Sequence, residues 1–450
     1  MARKETGDIA AGRLMPAQLA TNFSDVAPPL DRQRALIEAS RCHFCYDAPC
    51  IQACPTAIDI PGFIRAISTD NLVGAASKIL DANIFGGQCA RVCPTEILCE
   101  GECVRNDPED KPVEIGALQR YATDWVFEQD VQLFTRAERT GKRIAVVGAG
   151  PAGLACAHAL ALRGHEVEVF EARPKPGGLN EYGIAAYKVV DFSQREVEWL
   201  LSIGGIRVQY GKALGRDLQL SQLRREYDAV FLGLGLAGVN ALGIADESLP
   251  GVRDAVDFIA ELRQVADKAA LPVGRRVVVI GGGNTAIDAA VQSKRLGAER
   301  VTLVYRRGAD AMSATDHEQA FAQSEGVHVI HYAQPTELIE RHGVVAGIRF
   351  EHTRIDAGKL IGCGEFFDLD ADVVLKAIGQ VMRSDGLSEA GVELLRLHKG
   401  RIAVDANFAT SLAGVYAGGD CVGGKTDLTV QSVADGKHAA AAIHAHLTQA

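Results

Sequence analysis

The placement of its cysteines most constrains what this 450-residue chain can fold into. Eight of the eleven cysteines fall between residues 42 and 103, in two blocks. The first block contains Cys42, Cys45, Cys50 and Cys54, and the second contains Cys89, Cys93, Cys99 and Cys103. In a reducing compartment, a set this dense is more typical of metal or redox centres than of disulfides. The sequence therefore predicts an N-terminal domain organised around bound metal.

Length, composition and charge limit the class of protein that this chain can be. A chain with 47% apolar and 23% charged residues is expected to form two to three globular domains at this length. A formal charge of −10 disfavours nucleic acid and anionic membranes as partners. No apolar run reaches membrane-spanning length, and residues 1–5 show no hydrophobic signal region. These features predict a cytoplasmic location.

The spacing within the cysteine blocks favours iron–sulfur clusters. The first block reads Cys-x2-Cys-x4-Cys-x3-Cys-Pro, which resembles the bacterial ferredoxin run whose last cysteine binds the other of two clusters. The second block adds Cys93-x5-Cys99-x3-Cys103. Exchange of ligands between the blocks would tie two clusters into one helical body. The alternative is a pair of structural zinc sites, but the redox context described below favours clusters.

Residues 1–137 are predicted to form an all-helical domain that begins with a polar arm at residues 1–30. Apolar periodicity indicates helices near residues 32–39, 63–69 and 72–80, and a helical exit at 125–137. Strand–turn–helix patterns follow. The predicted fold class is therefore α/β, with a helical iron–sulfur domain followed by two nested Rossmann-like domains.

A glycine-rich turn follows a predicted strand at residues 143–147. Its glycines, Gly148, Gly150 and Gly153, allow a tight turn and let the backbone approach a pyrophosphate at a helix N-terminus. The next strand, at residues 167–170, ends at Glu171, where an acid accepts a hydrogen bond from a ribose hydroxyl. Strand, turn, helix, strand and acid together form a strong dinucleotide-binding signature.

Two further segments indicate that this dinucleotide is FAD. Gly177-Gly178-Leu179 resembles a turn of flavoprotein reductases. Residues 409–420 resemble the second FAD fingerprint of that superfamily, with Gly419 and Asp420 near the ribityl or pyrophosphate region. The alternative for Asp420 is a turn or N-cap aspartate. The FAD-binding domain is predicted at residues 138–250 and 380–450.

A second glycine-rich turn follows a predicted strand at residues 277–280. It contains Gly281, Gly283, Asn284 and Thr285. The following strand runs into Arg306 and Arg307 instead of an acid, and arginine there accommodates an adenosine 2′-phosphate or stacks on adenine. The alternative is a solvated basic strand end. Residues 251–379 are therefore predicted to bind NAD(P)H.

Together these residues resemble the N-terminal half of dihydropyrimidine dehydrogenase and the separate NADH-oxidising subunit of the bacterial enzyme. The likeness extends from about Ala35 to His446. Its specific marks are Arg41-Cys42, Asp47-Ala48-Pro49-Cys50, Cys54-Pro55-Thr56, Cys93-Pro94-Thr95 and Ile115-Gly116-Ala117-Leu118-Gln119.

The resemblance implies the ligands of two [4Fe–4S] clusters. In this family one cluster takes glutamine as its fourth ligand, and Gln119 occupies the matching place, whereas counting thiols alone would assign that role to Cys89. One cluster would be held by Cys42, Cys45, Cys50 and Cys103. The other would be held by Cys54, Cys93, Cys99 and Gln119. Cys89 would then be a spare thiol.

Two departures from the family concern the nucleotide sites. Where the NADPH-using dehydrogenases carry a second arginine several positions after Arg306, this chain has Met312-Ser313-Ala314. The loss of one phosphate contact favours NADH over NADPH. Lys188 stands where those enzymes place an arginine near the flavin.

The function implied by the resemblance is electron input to dihydropyrimidine dehydrogenase. NAD(P)H would reduce FAD, and the clusters would pass electrons to a separate FMN-containing catalytic subunit in a hetero-oligomer. The family's FMN barrel and catalytic cysteine have no counterpart in these 450 residues, so no catalytic side chain is assigned.

Two related functions and one different class stay open as alternatives. Similar chains act as small subunits of glutamate synthase or of electron-bifurcating transhydrogenases. A non-catalytic nucleotide-binding regulatory module is disfavoured by the intact glycine turns and the complete set of cluster ligands.

Overall fold

The computed structural model describes residues 8–383, 387, 395–424 and 426–449. Residues 1–7, where the sequence predicts no signal region, lie outside the described residues. The chain packs as two compact units, each built from segments that are distant in sequence. Unit A comprises the described residues of 27–181, 191–237 and 382–449, and unit B comprises residues 8–26, 182–190 and 238–381.

Helices form most of the N-terminal part of the chain and alternate with strands after it. They are α1 (Pro16–Asn22), α2 (Arg32–Ser40), α3 (Pro49–Ala53), α4 (Ile60–Ser68), α5 (Leu72–Ala82), α6 (Gly86–Val92), α7 (Asn106–Glu109), α8 (Ile115–Glu128), α9 (Pro151–Leu162), α10 (Leu179–Tyr182), α11 (Ser193–Leu201), α12 (Leu220–Glu226), α13 (Ala255–Gln264), α14 (Asn284–Arg295), α15 (Asp316–Ser324) and α16 (Thr429–Gln449). Within the described ranges, none of them is long and apolar enough to cross a membrane.

The strands are concentrated after residue 142. They are β1 (Ile9–Ala10), β2 (Arg143–Val147), β3 (Glu166–Glu171), β4 (Ile206–Tyr210), β5 (Ala229–Leu232), β6 (Gly238–Val239), β7 (Val252–Asp254), β8 (Val273–Gly274), β9 (Arg276–Ile280), β10 (Arg300–Val304), β11 (His328–Ile330), β12 (Ala333–Arg341), β13 (Val344–Asp356), β14 (Lys359–Asp370), β15 (Val373–Lys376), β16 (Gln380–Val381), β17 (Leu397–His398), β18 (Arg401–Ile402) and β19 (Val415–Ala417).

Helices α2 to α8 of unit A form the predicted helical domain around an apolar core. In α4, apolar side chains recur at intervals of three and four residues, so they share one face of the helix. That buried face is formed by Ile60, Phe63, Ile64 and Ile67. Asp59 caps the helix by accepting a hydrogen bond from Gly62 N at 3.0 Å, and Pro61 occupies the first turn. The sequence pattern therefore specifies both the start of this helix and its buried side.

Helix α8 ends earlier than the sequence predicts. A helical segment is predicted at residues 125–137, but the helix ends at Glu128. No further helix follows within the described residues until α9. Asp130 adopts a left-handed φ of +51°, through which a right-handed helix does not continue. Residues 131–142 form an irregular connection into β2.

Unit A also contains a five-stranded parallel sheet in the order β19-β5-β2-β3-β4. Val146 of β2 lies opposite Val169 on one side and Phe231 on the other. Residues 144–147 and 229–232 are entirely buried, as expected for the inner strands of a parallel sheet covered by helices. This sheet confirms the first predicted Rossmann-like domain and its strand at residues 143–147.

Unit B contains the second parallel sheet, in the order β11-β10-β9-β15-β7. Val279 of β9 lies opposite Leu303 on one side and Leu375 on the other. An antiparallel sheet of β12, β13 and β14 is inserted in the chain between β11 and β15. The second predicted Rossmann-like domain is therefore confirmed. Strand β10 ends at Val304, so Arg306 and Arg307 lie in the loop that follows the strand.

The N-terminal segment is not a separate polar arm. Strand β1 pairs with β8 of unit B, with Ile9 opposite Gly274. Leu19 and Phe23 are buried in the core of unit B. The structure therefore corrects two predictions for residues 8–26, the polar arm and membership of an all-helical domain. Burial of these few apolar side chains attaches the segment, and their spacing is too sparse to reveal it in the sequence.

The limits of the packing units differ from those of the predicted domains. The chain passes between units at residues 237/238 and 381/382, and residues 182–190 belong to unit B. The predicted limits were residues 137/138, 250/251 and 379/380. The division into FAD-binding and NAD(P)H-binding domains stays a prediction.

The buried face of α4 carries a stability prediction. Phe63→Ala is expected to lower the free energy of unfolding of the helical domain by about 3–5 kcal/mol, because it opens a cavity at a fully buried site. Val73→Ala, at an exposed position of α5, is the matched control and is expected to change the free energy of unfolding by less than about 0.5 kcal/mol. Guanidinium denaturation followed by circular dichroism measures both, and equal midpoints would contradict the assignment of this core.

Candidate iron–sulfur and nucleotide sites

Four cysteines from the two blocks line one small cavity in unit A. Cys42 and Cys45 come from the segment joining α2 to α3, Cys50 lies in α3, and Cys103 comes from the loop before α7. Apolar side chains such as Ile115 complete the lining. Burial, together with the neighbouring Cys42 and Cys103, raises the pKa of Cys50 to about 12. The structure thus brings together the four thiols that the resemblance assigns to one cluster.

Hydrogen bonds fix the two loops that carry these thiols. Arg105 Nε donates to Arg41 O at 2.7 Å, which joins the second block to the first. The Arg41 guanidinium pairs with Glu38 at 2.6 Å. The backbone N–H of Phe44 donates to Cys42 Sγ at 3.4 Å. Donors of this kind stabilise a thiolate and tune the potential of a cluster that it holds.

A second group of thiols surrounds Cys93. A hydrogen bond with Cys89, burial, and the neighbouring Cys99 and Cys54 raise the pKa of Cys93 well above its ordinary value. Burial likewise raises the pKa of Cys99. The structure therefore places Cys54, Cys93 and Cys99 near one another. It also places Cys89, the predicted spare thiol, against Cys93.

Gln119 lies buried on α8 with its amide held in one orientation. Its Nε2 donates a hydrogen bond to Gly86 O at 2.7 Å, so the amide oxygen is the atom left to act as a ligand. Glu100, next to Cys99, accepts a hydrogen bond from Gly116 N in the first turn of α8 at 2.9 Å. This bond ties the second cysteine block to the helix that carries Gln119.

Two candidate sets of ligands result: Cys42, Cys45, Cys50 and Cys103 form the first, and Cys54, Cys93, Cys99 and Gln119 form the second. The donor chemistry of both sets fits [4Fe–4S] clusters. Each set provides four groups, thiols alone in the first and three thiols with an amide in the second. In the described part of the chain, no three His, Cys, Asp or Glu side chains are arranged to hold a single metal ion. A cube presents its iron atoms at separate corners, so its ligands need not converge on one point. Each set is therefore a candidate cluster site.

The first glycine turn joins β2 to α9. Gly148 has a φ of +102°, and a Cβ there would lie 2.2 Å from Gly233 O, so only glycine fits. Glu171, at the end of β3, accepts hydrogen bonds from Ala149 N and Arg173 N, both at 2.8 Å. Burial raises the pKa of this carboxyl although the backbone donors oppose it. Each of its oxygens keeps a further lone pair for a ribose hydroxyl.

Gly178 covers this turn from the other side. Its φ is +55°, and a Cβ there would lie 2.7 Å from Gly150 Cα. The two backbones approach closely at the N-terminal end of α9, where Gly153 lies in the first turn. Leu179, the first residue of α10, is partly exposed beside them. Bare backbone at a helix N-terminus is what a dinucleotide pyrophosphate requires.

Gly419 and Asp420 follow β19 in the same parallel sheet. Gly419 N donates to Asp435 Oδ2 at 3.0 Å, and Ser432 Oγ donates to Asp420 Oδ1 at 3.1 Å. Burial raises the pKa of Asp420 to about 6. Because β19, β5 and β2 are parallel, this motif and the Gly148 turn lie at the same edge of the sheet. The structure therefore brings together the two segments that the sequence assigns to FAD.

The second glycine turn lies between β9 and α14 of unit B. Gly281 and Gly283 flank Gly282, whose carbonyl oxygen accepts a hydrogen bond from Ala314 N at 2.9 Å. Asn284 Oδ1 is buried without a hydrogen-bond partner at the first turn of α14, beside Thr285. A buried acceptor without a partner is costly, so it is suited to a ligand donor group. This turn fits a nucleotide site.

The backbone carbonyls of the two arginines after β10 accept hydrogen bonds that fix the loop. Thr353 Oγ1 donates to Arg306 O at 2.8 Å, and Tyr332 N donates to Arg307 O at 3.2 Å. The Arg306 side chain is exposed. An exposed guanidinium next to a glycine turn is available to a phosphate or an adenine ring. Its role with a nucleotide stays a prediction.

Lys188 belongs to unit B, in a buried ionic cluster. Its Nζ lies 2.9 Å from Asp288 Oδ1 and 2.6 Å from Glu318 Oε1. Burial lowers the pKa of Lys188, but the two carboxylates outweigh burial and raise it above its ordinary value. The structure thus pairs Lys188 with side chains of α14 and α15. Its predicted place near the flavin stays a prediction.

Sequence reasoning missed three residues that organise the iron–sulfur sites. Glu100 caps α8, Gly86 orients Gln119, and Glu196 accepts backbone hydrogen bonds at the start of α6. The signal for Gly86 was present, because a glycine pair stands just before Cys89. Glu196 gave no signal, since its partners lie more than a hundred residues away in the chain.

Family models match the two parts of the chain separately. Residues 19–131 match the 4Fe–4S domain II of dihydropyrimidine dehydrogenase. Residues 142–436 match the pyridine nucleotide-disulphide oxidoreductases. Fold and motifs therefore define an FAD- and NAD(P)H-dependent oxidoreductase with an N-terminal iron–sulfur domain.

Individual relatives place the chain more closely. It is 34% identical to the NAD-dependent dihydropyrimidine dehydrogenase subunit PreT of Salmonella typhimurium, over 97% of this chain and 99% of that one. It is also 34% identical to the glutamate synthase [NADPH] small chain of Escherichia coli, over 94% of this chain and 93% of that one. The chain belongs to the family that contains the PreT subunits and the glutamate synthase small chains.

Solved structures support the fold of the nucleotide-binding part. Mycobacterium tuberculosis FprA, solved in complex with NADPH, superposes with a TM-score of 0.56 and 20% identity. The match covers 68% of this chain and 85% of FprA. At this identity the likeness concerns the fold alone.

Gln119 carries the prediction for this site. Gln119→Cys is expected to lower the midpoint potential of one cluster, because a thiolate brings negative charge where the amide is neutral. Redox titration followed by electron paramagnetic resonance measures the change. Cys89→Ser is the comparison variant and is expected to leave the cluster content unchanged. An unmoved potential in Gln119→Cys would count against the ligand assignment.

Proposed function

We propose that this chain is the electron-input subunit of a dihydropyrimidine dehydrogenase. It would oxidise NADH and pass electrons to a separate FMN-containing, PreA-type subunit that acts on uracil or thymine, in either direction. The observation that carries the proposal is the buried amide of Gln119, oriented by Gly86 on a helix that packs against α6 of the second cysteine block. The setting would be cytoplasmic, in a hetero-oligomer.

The residues of the chain would divide the binding of the cofactors. The first cluster would be held by Cys42, Cys45, Cys50 and Cys103, and the second by Cys54, Cys93, Cys99 and Gln119. FAD would lie on Gly148, Gly150, Gly153, Glu171, Gly178, Leu179, Gly419 and Asp420, with Lys188 nearby. NAD(P)H would lie on Gly281, Gly283, Asn284, Thr285, Arg306 and Arg307. When bound, FAD supplies hydride acceptance and the clusters supply single-electron conduction.

The protein's own contribution would be positioning and electrostatics. The bare backbone around Gly148 and Gly178 admits a pyrophosphate, and the Glu171 carboxylate orients a ribose. Hydrogen bonds from Phe44 N to Cys42 and from Gln119 to Gly86 set the environment of each cluster. No side chain of this chain is assigned to pyrimidine chemistry.

The second candidate is a glutamate synthase small subunit. Identity to the Escherichia coli small chain is as high as to PreT, so overall similarity does not separate the two. The identity of the partner polypeptide does distinguish the two functions. Co-purification with an FMN-containing pyrimidine subunit supports the first proposal, and co-purification with a large amidotransferase subunit supports the second.

The isolated chain is expected to reduce artificial dyes with NADH but not to reduce uracil. The reason is that the nucleotide and cluster sites are present, while a pyrimidine site is assigned to the partner. Dye reduction and uracil consumption are measured on the same flavin-loaded preparation, with and without the partner. Uracil reduction by the chain alone would overturn the division of labour.

Nucleotide preference gives a further prediction. The Ser313 hydroxyl lies 3.5 Å from Gly282 O, so this position borders the second glycine turn. Ser313→Arg is expected to raise kcat/KM for NADPH roughly tenfold relative to NADH, because it adds a charged contact for the 2′-phosphate. Steady-state dye reduction with both nucleotides measures the ratio.

The matched control for this change is Ser324→Arg. Ser324 is exposed at the end of α15 and away from the glycine turn in sequence, so the added charge should leave the ratio unchanged. An equal increase in the NADPH-to-NADH ratio of kcat/KM for both variants would show a general charge effect. No gain with Ser313→Arg would argue against a 2′-phosphate site at this loop.

A further inference from the structure

A buried carboxylate lies at the start of helix α6. Glu196 of α11 is fully buried, and its Oε1 accepts hydrogen bonds from Gly87 N at 2.8 Å and Gln88 N at 3.1 Å. A Cβ on Gly87 would lie 2.9 Å from Glu196 Oε1 and 2.5 Å from Phe192 Cζ. Glycine at position 87 therefore lets the Glu196 and Phe192 side chains reach the backbone of α6. A buried carboxyl is costly unless its hydrogen bonds are made, as they are here.

The charged groups that act on this carboxylate are Arg91 and Asp124, and Arg120 joins the cluster through Asp124. Arg91 pairs with Asp124 at 2.6 Å and donates to Gly87 O at 3.0 Å. Arg120 also pairs with Asp124, at 3.2 Å. When all four groups are ionised, the two arginines balance the carboxylates of Glu196 and Asp124. Protonation of Glu196 leaves this buried cluster with one net positive charge.

The turn that Glu196 holds also holds Gln119. Gly86 O accepts the hydrogen bond of the Gln119 amide, and Gly87 and Gln88 follow directly. On the other side, Ser193 Oγ donates to Asn180 O at 2.8 Å and lies 3.2 Å from Gln88 Oε1. Residues 86–88 therefore connect the proposed glutamine ligand to the segment that follows Gly178 and Leu179.

We propose that Glu196 is a positioning residue for the Gln119 cluster, and that its charge sets the potential of that cluster. It positions the cluster by holding the turn whose Gly86 carbonyl orients the ligand amide. It acts on the potential because an ionised carboxylate disfavours adding an electron nearby, whereas a neutral carboxyl does not. The inference rests on the proposed function, since it requires the cluster.

The expected direction with pH follows from the state of the carboxyl. Burial raises the pKa of Glu196 to about 8, while the backbone donors and Arg91 oppose that rise. Below this pKa the carboxyl is neutral and the cluster is easier to reduce. As pH rises through it, the carboxylate forms and the midpoint potential falls. Reduction of the cluster in turn favours protonation of Glu196.

The test compares Glu196→Gln with the wild type on the flavin- and cluster-loaded chain. Glutamine keeps an acceptor for Gly87 N and Gln88 N but cannot ionise. The signal to follow is the one whose potential moves in Gln119→Cys, titrated at pH 6 and pH 9. The two proteins should share one potential at pH 6, and the wild type should fall below Glu196→Gln at pH 9. Glu198→Gln, exposed on the same helix, is the matched control and should follow the wild type.

The outcomes separate this inference from the proposed function. If the wild type holds both clusters but its potential does not change with pH, or if Glu196→Gln changes with pH as the wild type does, the inference is overturned. Absence of clusters from the wild type would instead refute the proposed function, and the inference with it. Iron content and the shape of the resonance signal show whether Glu196→Gln assembles its clusters. Loss of the signal from Glu196→Gln at normal iron content would contradict the shared potential expected at pH 6 and would also overturn the inference.

Discussion

The structure depends on one constraint, which is that half-buried thiols from two separate blocks of the chain must meet against one apolar core. Burial by itself keeps thiols protonated, as the raised pKa of Cys50 and Cys93 shows. Bound iron would reverse this, because the positive metal stabilises thiolates. The helical core around α4 and α8 therefore holds these groups in place as neutral thiols until metal binds.

The same constraint explains the hydrogen bonds around the second block. Glu100 caps the helix that carries Gln119, and Gly86 orients the Gln119 amide. Glu196 then attaches this turn to α11, which belongs to the same compact unit as the Gly148 turn. Because one unit contains both thiol sets and that turn, packing rather than a flexible linker sets their separation. A fixed separation suits electron transfer between cofactors.

Sequence reasoning succeeded where the signal is local. The strand at 143–147, the glycine turns and the helices α2, α4 and α5 follow from apolar patterns and glycine spacing, and the structure confirms them. It failed where a single residue ends an element, or where a contact between distant residues places a segment. The left-handed Asp130 ends the helix that was predicted to reach residue 137. The pairing of β1 with β8 moves residues 8–26 into the other unit.

The sequence by itself determined the kind of chemistry, because cysteine spacing and glycine turns are local patterns tied to particular cofactors. Gln119 came from the resemblance to a known family, since counting thiols alone would have assigned its role to Cys89. Only the tertiary structure showed how the Gln119 amide is oriented, that Cys89 lies against Cys93, and that Lys188 pairs with Asp288 and Glu318. The physical reason is that burial and hydrogen bonding depend on residues far apart in the chain, and no local pattern records which of them meet.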